Sequence, residues 1–209
     1  PARAVAYDLA TGFGLLRPLV PLRGVAPVPL GSAAQASTGD SVMVSVGGEE
    51  ADVTMARLVS KRAFSGYWEY HIESALFTSP PVRNHSGAPL FNERGELLGI
   101  GSLFVGDVLG DNRRMPGNLF VPVDLLKPIL PDLITTGRAN RLPRPWIGFY
   151  ATEMNNRIVV AGVSQRGPAK SAGITAGDVV IAVAGKEVRD LARLFKGIWS
   201  LGPAGIEVP

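Results

Sequence analysis

The sequence contains no cysteine, which excludes disulfide bonds, zinc sites built from thiolates and a cysteine nucleophile. No apolar run approaches the ~18 residues that a transmembrane helix needs, so no segment is predicted to span a membrane. The 21 Lys and Arg and the 18 Asp and Glu give a net charge of only +3, and no basic run is long enough to follow a phosphate backbone. Nucleic acid is therefore not an expected partner.

Aromatic residues are also few, at 7%, whereas glycine (25 residues) and proline (17 residues) are abundant. A chain of 209 residues with 46% hydrophobic residues can bury a substantial core. Short strands joined by turns fit this composition better than long helices, so the sequence predicts a mainly β fold. One example is the turn at 47–50, which separates two alternating runs and predicts a hairpin.

Residues 84–90 read Asn-His-Ser-Gly-Ala-Pro-Leu and lead into a strand, a polar turn and a second apolar strand. A serine between small residues on a tight turn suits nucleophilic catalysis, because consecutive backbone N–H groups can stabilise an oxyanion beside the hydroxyl. A turn serine that only caps its own backbone gives the same pattern. The spacing alone leaves both interpretations open.

The block from 86 to 100 resembles the nucleophile region of chymotrypsin-like serine proteases of the HtrA/Deg type, whose usual run is Gly-Asn-Ser-Gly-Gly-Pro-Leu. The resemblance implies that Ser86 is the nucleophile and that the N–H groups of Asn84 and Ser86 form the oxyanion hole. Asn84, His85 and Ala88 replace the family's Gly, Asn and second Gly. Asparagine tolerates a positive φ better than most residues, so the hole can survive the first replacement.

The resemblance extends upstream to the position of the catalytic aspartate, which the family carries in a run such as Asp-Leu-Ala-Val-Leu. Aligning residues 13–16 with the end of that run places Gly12 at the aspartate position. Glycine can neither accept the imidazole N–H nor stabilise imidazolium, and Asp8, four residues earlier, is a poor substitute.

The family's histidine precedes this aspartate by several tens of residues, at a point before residue 1. Of the two histidines of the chain, His71 is interpreted as a strand residue satisfied locally and His85 as a surface or pocket-wall residue. The degenerate triad implies an HtrA-like fold with weak or no hydrolytic activity. In the alternative, a segment before residue 1 supplies the histidine, and the protein is an active serine endopeptidase in protein quality control.

Residues 167–188 resemble the PDZ domain of the same proteases over their whole length. Pro168 is predicted to start a short helix that Gly173 ends. A second helix is predicted over 190–199, because its apolar residues recur at spacings of three and four.

The run Trp-Ile-Gly-Phe-Tyr at 146–150 matches the PDZ loop whose N–H groups hold a peptide's C-terminal carboxylate. The resemblance implies that Ile147, Gly148, Phe149 and Ala192 bind peptide. The strand at 149–152 or at 158–162 would offer the edge for strand addition. A plain hairpin with buried aromatic residues would also explain the loop, without a ligand.

The predicted architecture is a chymotrypsin-like double β-barrel, with its first barrel incomplete in this chain, followed by a PDZ domain that stops before its last strands. The protease domain is expected over 1–137, with the end of the first barrel at 1–30, the second barrel at 41–124 and a helical turn at 125–137. A linker over 138–145 and the PDZ domain over 146–209 complete the chain. The resemblance implies no metal or cofactor, unfolded polypeptides or peptide C-termini as partners, a homotrimer, and a periplasmic or otherwise extracytoplasmic location.

Overall fold

The computed structural model describes residues 1–47, 52–111 and 113–209. The chain forms two compact units. The first comprises Pro1–Ala63 and Glu73–Asn140, and the second comprises Phe64–Ile72 and Arg141–Pro209. Within the described ranges, no helix is long and apolar enough to cross a membrane.

The first unit begins with an antiparallel hairpin of β1 (Ala2–Tyr7) and β2 (Gly14–Pro18). Asp8, which is buried, closes the turn between them. Its Oδ2 accepts hydrogen bonds from the N–H of Thr11 (2.9 Å) and from the Thr11 hydroxyl (2.6 Å). Aspartate commonly binds the backbone of its own turn in this way, and these bonds compensate for the burial of the carboxylate.

Six strands then close into an antiparallel β-barrel in the order β3-β4-β5-β8-β7-β6. The predicted turn at 47–50 connects β3 to β4, but its residues from 48 onward lie outside the described residues. The six strands are β3 (Ser41–Val46), β4 (Asp52–Gly66), β5 (Tyr70–Ser79), β6 (Pro89–Phe91), β7 (Leu97–Val105) and β8 (Gly117–Pro122).

Buried side chains alternate with less buried ones along the strands and fill the barrel. In β3, Val42, Val44 and Val46 are buried while their neighbours are half-buried, as the two-residue period of a strand requires. Every residue of β8 is buried. Leu76 on β5 and Phe120 on β8 are both fully buried and belong to the same core cluster as these valines. The barrel therefore has a packed interior.

The segment predicted as a helical turn at 125–137 forms two short pieces, a 3-10 turn at Val123–Leu125 and the helix α1 (Leu130–Thr136). Proline within the segment prevents one continuous helix. Gly137 ends α1 in the left-handed conformation, with φ +78°. Leu133 of α1 packs with Ala6 of β1 in a small buried cluster.

The second unit contains a three-stranded antiparallel sheet with its own core. The sheet consists of β9 (Phe149–Met154), β10 (Arg157–Val163) and β11 (Val179–Val180), in the order β11-β10-β9. After β10 comes the short helix α2 (Pro168–Ser171), which starts at the predicted proline. A small hairpin of β12 (Ala182–Val183) and β13 (Lys186–Glu187) follows β11.

The last helix, α3 (Leu191–Ser200), confirms the helix predicted over 190–199. Asp190 is its N-cap and accepts a hydrogen bond of 2.7 Å from the N–H of Arg193. The apolar residues at the predicted spacing are all buried and pack on the sheet: Leu191, Leu194, Phe195 and Ile198.

Candidate functional site

The turn that carries Ser86 is anchored to the barrel while the serine itself stays exposed. The N–H of Gly87, which has φ +79°, donates to the carbonyl of Gly101 on β7 at 2.8 Å. The N–H of Gly101 donates to Ala88 O at 2.8 Å, and that of Ala88 donates to His85 O at 2.9 Å. A rigid strand thus presents an accessible hydroxyl on a tight turn, as a nucleophile requires.

Asn84 occupies the position predicted to replace the oxyanion-hole glycine. Its φ is +55°, a conformation that asparagine tolerates better than most residues. Among the described residues, neither the N–H of Asn84 nor that of Ser86 donates to a protein acceptor. These are the two N–H groups that the resemblance assigns to an oxyanion hole; Asn84 and Ser86 are exposed, and His85 between them is half-buried.

Asn118, which the sequence analysis missed, supports the serine loop from inside the barrel. It is fully buried, its Oδ1 accepts the N–H of Val82 at 2.6 Å, and its amide nitrogen donates to Val82 O at 3.4 Å. In β8, Asn118 directly precedes the apolar run Leu-Phe-Val-Pro. That isolated amide was the signal that could have indicated a buried loop anchor.

The two histidines have local hydrogen-bond partners. Nδ1 of His85 lies 3.2 Å from Val82 O, and Nδ1 of His71 lies 2.8 Å from the Ser65 hydroxyl. His71 and Ser65 both lie in the second unit, whereas Ser86 belongs to the first. These contacts fit the interpretation of His71 as a strand histidine with a local partner and of His85 as a surface or pocket-wall residue.

Gly12, the residue predicted at the triad aspartate position, lies in the turn after β1 with φ +79°. Its N–H donates to Asp8 O at 2.8 Å. The carboxylate of Asp8, four residues before Gly12, binds Thr11 within the same turn. The turn thus uses this carboxylate for its own closure, and Gly12 has no side chain to orient a histidine.

In the second unit, the predicted carboxylate-binding loop precedes β9. Gly148 has φ +81°, and a Cβ added there would lie 3.0 Å from the Cα of Gly167 and 3.2 Å from ring atoms of Trp146. The loop is fixed from its other side by the N–H of Ser164, which donates to Gly148 O at 2.8 Å. Glycine is required here both for its backbone conformation and for lack of space.

Strand β9 is one edge of the sheet and β11 is the other, since β10 lies between them. Of the two strands considered for peptide addition, the one that begins at Phe149 is therefore at the edge. Helix α3 lies beside it, because Glu153 of β9 accepts the N–H of Leu191 at 2.8 Å. Ala192, the other residue predicted to bind peptide, is half-buried on this helix.

A carboxylate of the protein itself occupies the loop. Oε1 of Glu69 accepts the N–H of Gly148 at 2.7 Å, and both of its carboxylate oxygens lie 3.1 Å from the N–H of Ile147. Burial raises the pKa of Glu69 above its usual value, while hydrogen bonds from Ile147, Gly148 and Phe149 act to lower it. The N–H groups of the loop therefore hold the carboxylate of Glu69, a residue that the sequence analysis missed.

Comparison with known families gives two matches that follow the two units. The family described as "Trypsin-like peptidase domain" matches residues 1–100, and that described as "PDZ domain" matches residues 145–205. These are the two domains that the resemblance to HtrA/Deg-type proteases implied, and the relatives described below carry HtrA-type names. This confirms the resemblance and the predicted mainly β architecture of a trypsin-like domain followed by a PDZ domain.

Individual HtrA-type relatives agree. A putative serine protease HhoA from Synechocystis is 30% identical over 200 residues, covering 83% of this chain. A probable periplasmic serine endoprotease DegP-like from Brucella suis is 28% identical over 222 residues, covering 97% of it. The chain spans 48% and 41% of the length of these two proteins.

A solved structure of the HtrA-type protease AlgW, in a variant with a bound tripeptide, superposes with a TM-score of 0.60. The match covers 99% of this chain and 70% of that one, at 22% sequence identity. At this identity the similarity establishes the fold.

Proposed function

We propose that this HtrA-type chain binds peptides through its PDZ loop, while its serine site hydrolyses peptide bonds weakly or not at all. The proposal of weak or absent hydrolysis rests on Gly12. At the position of the orienting aspartate the chain has no carboxylate, and the neighbouring Asp8 is bonded within its own turn. Losing this aspartate costs on the order of 10⁴ in turnover in the well-studied serine protease triad, even when the serine and histidine remain.

The PDZ half of the proposal is supported by the arrangement of donors before β9. The N–H groups of Ile147 and Gly148 already hold one carboxylate, that of Glu69. A peptide C-terminus presents the same chemical group and could extend along the edge of β9 beside α3, where the N–H of Ala151 now donates to the carbonyl of Tyr67. Ile147, Gly148, Phe149 and Ala192 are the residues assigned to this site.

A second function, active serine endopeptidase, is favoured by the geometry around Ser86. The hydroxyl is exposed, and the N–H groups of Asn84 and Ser86 have no protein acceptor among the described residues. In that case Ser86 attacks the substrate carbonyl, these N–H groups hold the oxyanion, and a segment before residue 1 supplies the histidine.

The partners that fit either function are unfolded polypeptides and peptide C-termini. The proposal includes an extracytoplasmic location, which is supported by a relative named a probable periplasmic endoprotease, and, for the active alternative, a role in protein quality control. The proposal includes assembly into a homotrimer, as the family resemblance implies.

Peptide binding is tested by calorimetric titration with two decapeptides of one sequence ending in valine, one with a free carboxylate and one with a C-terminal amide. The acid is expected to bind at least about tenfold more tightly, because charge-assisted hydrogen bonds are roughly twice as strong as neutral ones. Affinity should lie near the micromolar range, roughly −8 kcal/mol. Equal affinities, or no binding by acids ending in Val, Leu, Ile or Phe, would contradict a carboxylate-binding site.

A further inference from the structure

The carboxylate of Glu69 comes from the tip of the hairpin formed by β4 and β5. This tip, Phe64–Ile72, belongs to the same compact unit as the PDZ loop. Glu69 is 78 residues from Ile147 in sequence, yet its carboxylate reaches the N–H groups of both Ile147 and Gly148 within 3.1 Å. The contact is therefore a long-range one that the fold has to bring together.

The tip also binds the edge of β9 with its backbone. The N–H of Ala151 donates to the carbonyl of Tyr67 at 3.0 Å, and the Tyr67 ring lies 5.9 Å from the ring of Tyr150. Tyr67 thus accepts a bond from the strand, and Glu69, two residues later, fills the loop that precedes the strand. An incoming peptide would make the same two kinds of contact, carboxylate to loop and backbone to strand edge.

The turn itself gives no reason for a glutamate at this position. Glu69 has φ +61°, in the left-handed region where glycine and asparagine are favoured. Such a backbone conformation is unfavourable for glutamate and persists only where other contacts maintain it. The hydrogen bonds of its carboxylate to the loop are the contacts that offset this cost.

From these contacts we infer that the tip Phe64–Ile72 is an internal ligand of the carboxylate loop, with Glu69 in the place of a peptide's C-terminal carboxylate. A peptide C-terminus binds only after displacing it. The inference rests on the proposed peptide-binding function and adds that the chain competes with its own ligands. The internal ligand therefore consists of the Glu69 carboxylate and, two residues earlier, the Tyr67 carbonyl that accepts a hydrogen bond from β9.

Competition of this kind weakens peptide binding: the apparent dissociation constant equals the intrinsic one divided by the fraction of molecules in which the loop is free. If the tip occupies the loop in about nine molecules of ten, removing the Glu69 carboxylate should tighten peptide binding about tenfold. The effect should be restricted to ligands that use the loop, so the amide form of the same peptide should gain much less.

The test compares Glu69→Asn with the unchanged full-length protein by titrating the valine-ended acid decapeptide. Asparagine suits the left-handed turn and cannot reach the loop with a carboxylate, so the hairpin should still fold. Glu207→Asn, which removes an exposed carboxylate from the same unit, is the matched control. We expect Glu69→Asn to bind about tenfold more tightly and Glu207→Asn to bind as the unchanged protein does.

A second measurement does not depend on any peptide. Hydrogen exchange of the Ile147 and Gly148 amides should be at least about tenfold faster in Glu69→Asn than in the unchanged protein, because the acceptor is lost. Unchanged exchange would overturn the internal-ligand inference. Equal peptide affinities of Glu69→Asn and the unchanged protein would also overturn the internal-ligand inference, but they would leave the proposed peptide-binding function intact. Faster exchange without peptide binding by either protein would support the internal contact and overturn the proposed peptide-binding function.

Discussion

Ser86 is expected to react with a fluorophosphonate probe at least about 10³-fold more slowly than the serine of an HtrA protease with a complete triad. The probe requires an activated serine, and activation requires a base that an acid holds in the correct tautomer. At the acid position this chain has Gly12, and Asp8 is bonded to Thr11. The rate is measured by gel fluorescence after timed labelling of the full-length protein.

The control for this experiment is Ser86→Ala, which removes the nucleophile and leaves the turn, held by Gly87 and Gly101, in place. Labelling of the unchanged protein should be no faster than labelling of the variant. Rapid stoichiometric labelling that Ser86→Ala abolishes would establish the endopeptidase alternative and reject the inactive one.

Gly148→Val is expected to weaken binding of an acid peptide at least about a hundredfold. Valine would have to adopt a φ of +81°, and its Cβ would lie 3.0 Å from the backbone of Gly167. Together, such backbone strain and displacement of the donor loop amount to roughly 3 kcal/mol or more, which corresponds to a loss of about two decades in affinity. Calorimetric titration gives the affinity directly.

Gly173→Val is the matched control for Gly148→Val. Gly173 has a similar φ of +85°, but a Cβ there meets nothing within 4 Å. It therefore imposes comparable backbone strain at a position away from the loop. If both variants keep a folded second unit and bind the acid peptide equally well, the loop does not hold the carboxylate.

Local signals in the sequence were sufficient for the elements that bear the candidate sites. The spacing of Leu191, Leu194 and Ile198 predicted α3, and Asp190 predicted where it starts. The small residues around Ser86 predicted a tight turn, and the run Trp-Ile-Gly-Phe-Tyr at 146–150 predicted a loop before a strand. Each of these features depends on residues within one or two turns of the chain, so a local pattern carries it.

The residues that the sequence did not reveal act across long separations. Asn118 supports Val82 from 36 residues away, and Glu69 binds Ile147 from 78 residues away. Both contacts depend on how strands are registered and how a hairpin tip folds back, which no local periodicity encodes. An amide inside an apolar strand and a glutamate in a turn were visible, but their partners were not.

Turnover of an unfolded protein by the full-length chain, measured beside its Ser86→Ala variant, tests the account most directly. Fluorescein-labelled casein, incubated with each protein at equal concentration, reports hydrolysis as a rise in fluorescence. The account predicts the same low rate for both, because Gly12 leaves the serine without an oriented base. A rate in the unchanged protein that falls about 10³-fold or more in Ser86→Ala would contradict it and make this chain a working endopeptidase.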